Sequence, residues 1–218
     1  MKKYGLALHT ISPELGLAIN NFAGESRCQT LDLGRELSSH LHQYLTEFIQ
    51  PQTWADLAFI AVAKGPGGFT GTRIGVVTAR TLAQQLEIPL FAISTLAAVA
   101  WQEANKIKDE NSLFSNDIAV QMPAQRGQLF GAIYQVLPNN SGLKPLLSDT
   151  VMTPEVWQKT LNNWPNSYEL IQALSGLGAS VSSLLELAHL DWQKGIRPHW
   201  SEAIPFYGQH PVEEKKIG

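Results

Sequence analysis

Cysteine is almost absent: Cys28 is the single one in 218 residues. No internal disulfide can form, which fits a reducing compartment. Charge is scarce as well. Charged residues make up 16% of the chain, against about 25% in typical soluble domains. The net charge is -3, and no segment carries five basic residues together: basic runs stop at the pairs Lys2-Lys3 and Lys215-Lys216. A protein that grips nucleic acid unaided presents a basic face. A stand-alone RNA-binding module is therefore disfavoured. No apolar stretch approaches the roughly 18 residues of a membrane span. Behind Lys2-Lys3 the apolar run extends only from Tyr4 to Leu8 before His9 and Pro13 interrupt it. That is too short for the core of a signal peptide. A cytoplasmic chain with no membrane segment is expected.

Chemistry-bearing patterns are also missing. There is no H-x-x-x-H pair. His40 and His42 are two apart, about 200° around a helix, so they cannot share one ion there. His9 at a strand end is open to two readings, a ligand or acid–base group and a polar group satisfied by backbone. His189, His199 and His210 lack ligand spacing. No G-x-S-x-G elbow is present, and Cys28 has no flanking basic pair to lower its pKa. A hydrolase is thereby disfavoured. Trp157, Trp164, Trp192 and Trp200 crowd the second half. Without interleaved basic residues they read as core or partner contacts rather than base-stacking platforms. No catalytic, cofactor-binding or metal-binding residue is expected.

The remaining pattern is that of an α/β protein. Short apolar or alternating runs at 4–10, 15–22 and 25–33 predict three strands joined by short turns. Residues 34–50 place Leu37, Leu41, Tyr44, Leu45 and Phe48 at helical spacing, and Pro51 stops the helix. Residues 56–63 predict a fully apolar strand, 70–86 a helix, 88–95 a strand and 95–105 a helix. The polar stretch 105–117 marks a boundary. Beyond it, strands are expected at 118–123 and 129–136. Thr153-Pro154-Glu155 opens a helix, and 139–142 and 162–167 read as loops. Residues 168–178 predict a strand and turn, and 179–190 a helix. The tail beyond Gly208 is polar. Three meandering strands followed by helix–strand units give the order of a ribonuclease H-like or actin-like half-domain. Two such lobes are expected, 1–106 and a reduced 107–218, each with a mixed sheet flanked by helices.

Residues 64–80, KGPGGFTGTRIGVVTAR, are the most distinctive stretch. They satisfy neither the Walker A pattern nor the dinucleotide fingerprint. A glycine loop opening a helix can still receive an anion on free N–H groups, with Arg73 in the first turn. The alternative is packing. Gly71, Gly75, Ala79 and Ala83 recur every four residues and form a helix stripe almost without side chains. Glycine inside a helix costs roughly 1 kcal/mol against alanine, a loss that close approach of another backbone returns. That backbone can belong to the chain's own sheet or to another protein.

GPGGFTGTRIG resembles the G-P-G-S-F-T-G-x-R-I-G signature of the TsaB (YeaZ) family. The resemblance continues through IPLFAISTLAAVA and touches RGQLFGAIY at 126–134. It implies a non-catalytic scaffold that binds and activates the catalytic TsaD protein. The complex forms threonylcarbamoyladenosine in tRNAs that read ANN codons. The resemblance further implies docking of the ATPase TsaE, tRNA contact only through the complex, a homodimer in isolation, and no cofactor. Its interface would use the first two helices. Here these offer Leu37, Leu41, Tyr44 and Phe48, then Gly71, Arg73, Gly75, Val76, Ala79 and Ala83. The motif loop would be Gly65, Pro66, Gly67, Gly68, Phe69, Thr70 and Gly71. Four departures stand out. His9-Thr10-Ile11-Ser12 replaces an acid-containing turn, Pro123-Ala124-Gln125 replaces a second acidic motif, Gln128 replaces its glutamate, and Gly68 replaces a serine. The lost acids remove hard oxygen ligands for a magnesium–phosphate clamp. The rival expectation is a nucleotide or small-molecule binder, or a weak ATPase, of the actin-like superfamily.

Overall fold

The structure is a computed structural model and describes residues 3–108 and 117–209. The most apolar run near the start, β1 (Tyr4–His9), becomes the middle strand of a five-stranded sheet. β2 (Glu14–Asn20) pairs antiparallel with it, and β3 (Ser26–Asp32) pairs antiparallel with β2. β4 (Leu57–Ala63) joins the other side of β1 in parallel, and β5 (Leu90–Ile93) extends that parallel part. The order is β3-β2-β1-β4-β5. A strand covered on both faces carries apolar residues throughout. Accordingly, Gly5 to His9 are all buried, whereas edge strand β3 is mostly exposed.

Alternation divides the sheet into two faces. On one lie Leu6, Leu8, Leu17, Ile60 and Val62, covered by α1 (Leu37–Ile49) and α2 (Phe69–Leu86). On the other, Ala7, Ala18, Ala61 and Ala63 keep the surface shallow. Val181, Leu184 and Leu185 of α5 (Val181–Gln193) settle onto it.

The second sheet has the order β8-β7-β6-β9. β6 (Asp117–Pro123) pairs antiparallel with β7 (Leu129–Val136) and parallel with β9 (Tyr168–Gln172). β8 (Leu143–Met152) lies beside β7. α3 (Thr95–Lys108) packs on one face through Leu96, Val99 and Ala100, and α4 (Pro154–Asn162) covers the other with Trp157 and Leu161. Thr153 caps α4, its Oγ1 accepting from the Val156 N–H. The fold is thus α/β, with two mixed sheets flanked by helices. Each sheet lies on one side of the boundary expected near 106/107, while α5, from the far side, covers the first sheet. The expected tail beyond Gly208 lies largely outside the described residues, as does much of 105–117.

β8 was not expected. Its sequence, LKPLLSDTVM, does not alternate cleanly and contains Pro145. Proline is tolerated because β8 is an edge strand. No helix among the described residues is long and apolar enough to cross a membrane.

Candidate partner interface

The glycine stretch runs from the end of β4 into α2, beside the turn that follows β1. A Cβ on Gly67 would fall 1.5 Å from Cγ2 of Ile11, and one on Gly71 would fall 2.0 Å from the Thr10 carbonyl oxygen. A Cβ on Gly75 would lie 2.1 Å from Oγ1 of Thr10. Gly65, at φ +109°, is pressed against the Phe206 carbonyl oxygen, 2.1 Å from where its Cβ would stand. These glycines exist because two segments of the same chain approach too closely for a side chain. Thr10 Oγ1 donates to the Gly71 carbonyl at 2.8 Å, and the Gly68 N–H donates to the Ile11 carbonyl at 3.0 Å. The latter bond takes a donor that an anion cradle would have used.

The expected interface residues divide between the interior and the surface of the chain. Leu37, Leu41 and Phe48 of α1, and Gly75, Val76, Ala79 and Ala83 of α2, are buried within the chain. Leu41, Val76, Ala79 and Ala83 are fully inaccessible. From Gly75 to Ala83 the small-residue stripe therefore packs on the protein's own sheet. Gly71 is half-buried under Thr10. Tyr44 is half-buried against the same core. Arg73 is exposed, as are Phe69 and Thr70 of the motif loop, while Pro66 is buried.

Turning the helix outward exposes a different row. Thr70, Arg73, Val77, Thr81 and Gln84 recur at three- and four-residue steps and all are exposed. Val77 is 52% exposed and Phe69 40% exposed. Sequence reasoning passed over Val77, although its signal was legible: an apolar residue at the centre of an otherwise polar helical row. On α1, which touches α2, His40 and Tyr44 are half-buried. The Arg80 guanidinium lies 5.8 Å from the Trp200 ring centroid, which holds α2 against the returning chain.

A cleft of about 470 Å³ opens at the N-terminal end of α2. Ser12, Gly68, Phe69, Pro123, Gln125 and Tyr207 are among its lining residues, and among the described residues no acidic side chain lines it. Tyr207 packs against Phe69 in a tilted arrangement, with ring centroids 4.4 Å apart. Gln209 clasps the far wall: its Nε2 donates to Gln128 Oε1 at 2.6 Å and to the Gln125 carbonyl at 3.1 Å. The glutamines standing at the departures thus serve an internal contact. Among the described residues no group of acidic, histidine or cysteine side chains has metal-holding geometry. His9 is fully buried with no partner on either ring nitrogen, and burial lowers its pKa to about 4. It is a neutral core residue. Trp157 is in the core, and Trp192 stacks between Phe59 and the Arg197 guanidinium.

A family model described as "TsaD: tRNA N6-adenosine threonylcarbamoyltransferase" matches residues 35–185. The tRNA threonylcarbamoyladenosine biosynthesis protein TsaB of Bacillus subtilis is 37% identical over 106 residues, 49% of this chain and 42% of that protein. The chain belongs to the TsaB (YeaZ) family. TsaB of Buchnera aphidicola subsp. Acyrthosiphon pisum is 28% identical over 169 residues, covering 76% of this chain and 67% of that protein. The match thus spans less than half of the Bacillus relative. A solved structure, YeaZ from Pseudomonas aeruginosa, superposes with a TM-score of 0.73 at 20% identity, covering 94% of this chain and 99% of that one. At that identity the likeness speaks for the fold. In this TsaB-family chain the signature loop is an internal joint between α2, the β1–β2 turn and residue 206, and its outward product is the helix face beside it.

Proposed function

We propose that this chain is a non-catalytic subunit of the machinery that makes threonylcarbamoyladenosine in tRNA. It acts by docking a TsaD-type catalyst on the solvent face of α1 and α2. The observation that carries this is Val77, an apolar side chain 52% exposed at the centre of the outward row of α2. Full burial of a valine is worth about 1.5–3 kcal/mol, and with Val77 52% exposed about half of that remains for a partner to supply. The names of the relatives supply the pathway. The cleft supports the non-catalytic role: among the described residues its lining offers no carboxylate to a magnesium ion. The low charge density supports tRNA contact through the complex rather than by this chain alone. The same reading entails a cytoplasmic protein, docking of a TsaE-type ATPase on the pair, and self-association of the isolated chain through the exposed face.

The test is co-purification of this chain with the TsaD protein of its own organism, followed by a tRNA modification assay with and without the chain. Capture of TsaD and strong dependence of modification on the chain are expected. A TsaD that modifies tRNA equally well alone would overturn the proposal. So would tight, magnesium-dependent ATP binding and hydrolysis by the isolated chain.

A further inference from the structure

A second cavity lies away from the α2 face, walled by the ends of β4 and β5, the start of α3, strands β7 and β8, and α5. It measures about 270 Å³. At about 30 Å³ per water, that is the room of roughly nine waters, enough for a small metabolite. Lys64, Ser94, Tyr134, Asp149, Asp191 and Lys194 supply its polar wall.

The wall is built rather than incidental. The Lys64 backbone is held from both sides: its N–H donates to the Ile93 carbonyl at 2.9 Å, and its carbonyl accepts from the Phe206 N–H at 2.6 Å. Ser94 caps α3, its Oγ accepting from the Ala97 N–H at 3.2 Å. Tyr134, only 4% exposed, donates to Asp149 Oδ1 at 2.8 Å and lies 3.3 Å from Ser94 Oγ. The Asp149 carboxylate is therefore fixed in place. Burial pushes its carboxyl above the ordinary aspartate range, against the pull of Ser94, Tyr134 and Lys64. It is a carboxylate short of positive charge.

The cations of the pocket are not equivalent. Lys194 already pairs with Asp191 at 3.1 Å. Lys64 feels Asp149 electrostatically but forms no ion pair with it, and among the described residues no group hydrogen-bonds to its ammonium. An unpaired cation and an under-compensated carboxylate thus line one cavity, too far apart to neutralise each other directly. A ligand with one charge of each sign completes both.

We propose that this pocket binds a small zwitterion of the α-amino acid class, its ammonium on Asp149 and its carboxylate toward Lys64. The inference does not depend on the docking face of α2. Since the walls come from both sheets, a bound ligand would also tie them together. The full chain would be titrated with each of the twenty amino acids. Thermal unfolding and saturation-transfer NMR would be the readouts. At least one amino acid should raise Tm, by about 5–10 °C at a hundred times Kd. Asp149→Asn keeps the shape and the Tyr134 bond, and Lys64→Met leaves the core untouched. Each should weaken that binding at least tenfold. If Asp149→Asn fails to fold, Lys64→Met decides alone. The proposal is overturned if no amino acid at about 50 mM moves Tm or gives a transfer signal. It is also overturned if Lys64→Met binds as tightly as the parent, or if simple amines or carboxylates bind as well as the amino acid.

Discussion

Thr10 and Gly71 are locked together: Thr10 Oγ1 donates to the Gly71 carbonyl at 2.8 Å, and a Cβ on Gly71 would stand 2.0 Å from the Thr10 carbonyl oxygen. The signature loop is thus a joint between the first strand and the second helix. Its glycines answer to the chain's own backbone.

Replacing these glycines should therefore harm folding before it touches any partner. Gly71→Ala meets backbone, which cannot step aside, whereas Gly75→Ala meets the Thr10 side chain, which can shift only by giving up its bond to the Gly71 carbonyl. Overpacking costs about 1–3 kcal/mol, and alanine returns up to about 1 kcal/mol of helix propensity. Urea unfolding should show Gly71→Ala clearly destabilised and Gly75→Ala less so. Equal, negligible losses for both would contradict the packing.

His9 sets the acid limb of stability. Its pKa is lowered to about 4 in the folded chain by burial, against about 6.5 when unfolded. Between those values the unfolded state binds the extra proton, so stability falls as pH drops from 6.5 to 4. The integrated loss is about 3 kcal/mol. His9→Leu removes two ring nitrogens that have no partner, so it should be neutral or stabilising near pH 7. It should also flatten this limb in denaturant midpoints measured across pH. An unchanged slope would place the titration elsewhere.

Glu186 on α5 joins the two flanking helices. Its Oε2 accepts from Trp101 Nε1 at 2.7 Å and from Asn105 Nδ2 at 2.9 Å, both on α3. Glu186→Ala removes that acceptor from a buried indole and should cost about 1–3 kcal/mol. Glu186→Gln keeps an acceptor and should cost less. Chemical denaturation of the two variants in parallel checks the order.

Periodicity told which residues share a face, and it did so correctly at Leu37, Leu41 and Phe48 and along the stripe from Gly71 to Ala83. It could not tell what covers that face. The small residues of α2 fit an external helix and an internal strand equally well until Thr10 is placed above them. The first five strands were legible because they are short, apolar or alternating, and bounded by turns. β8 was not, because an exposed edge strand carrying Pro145 has little apolar pattern to show. The packing of α5 on Ala7 and Phe59 joins residues far apart in sequence, and no local spacing encodes such a contact. The pocket around Asp149 was hidden for the same reason, since Lys64, Tyr134 and Asp149 come from three separate strands or their ends.

The docking claim is tested most directly at Val77. Isothermal titration should compare the parent chain and Val77→Asp for binding to the TsaD protein of the same organism. A buried carboxylate without a partner should weaken binding at least tenfold, about 1.4 kcal/mol. Because Val77 is exposed in the free chain, Tm should stay unchanged. Equal affinity for both proteins would show that the solvent face of α2 is not where the catalyst docks.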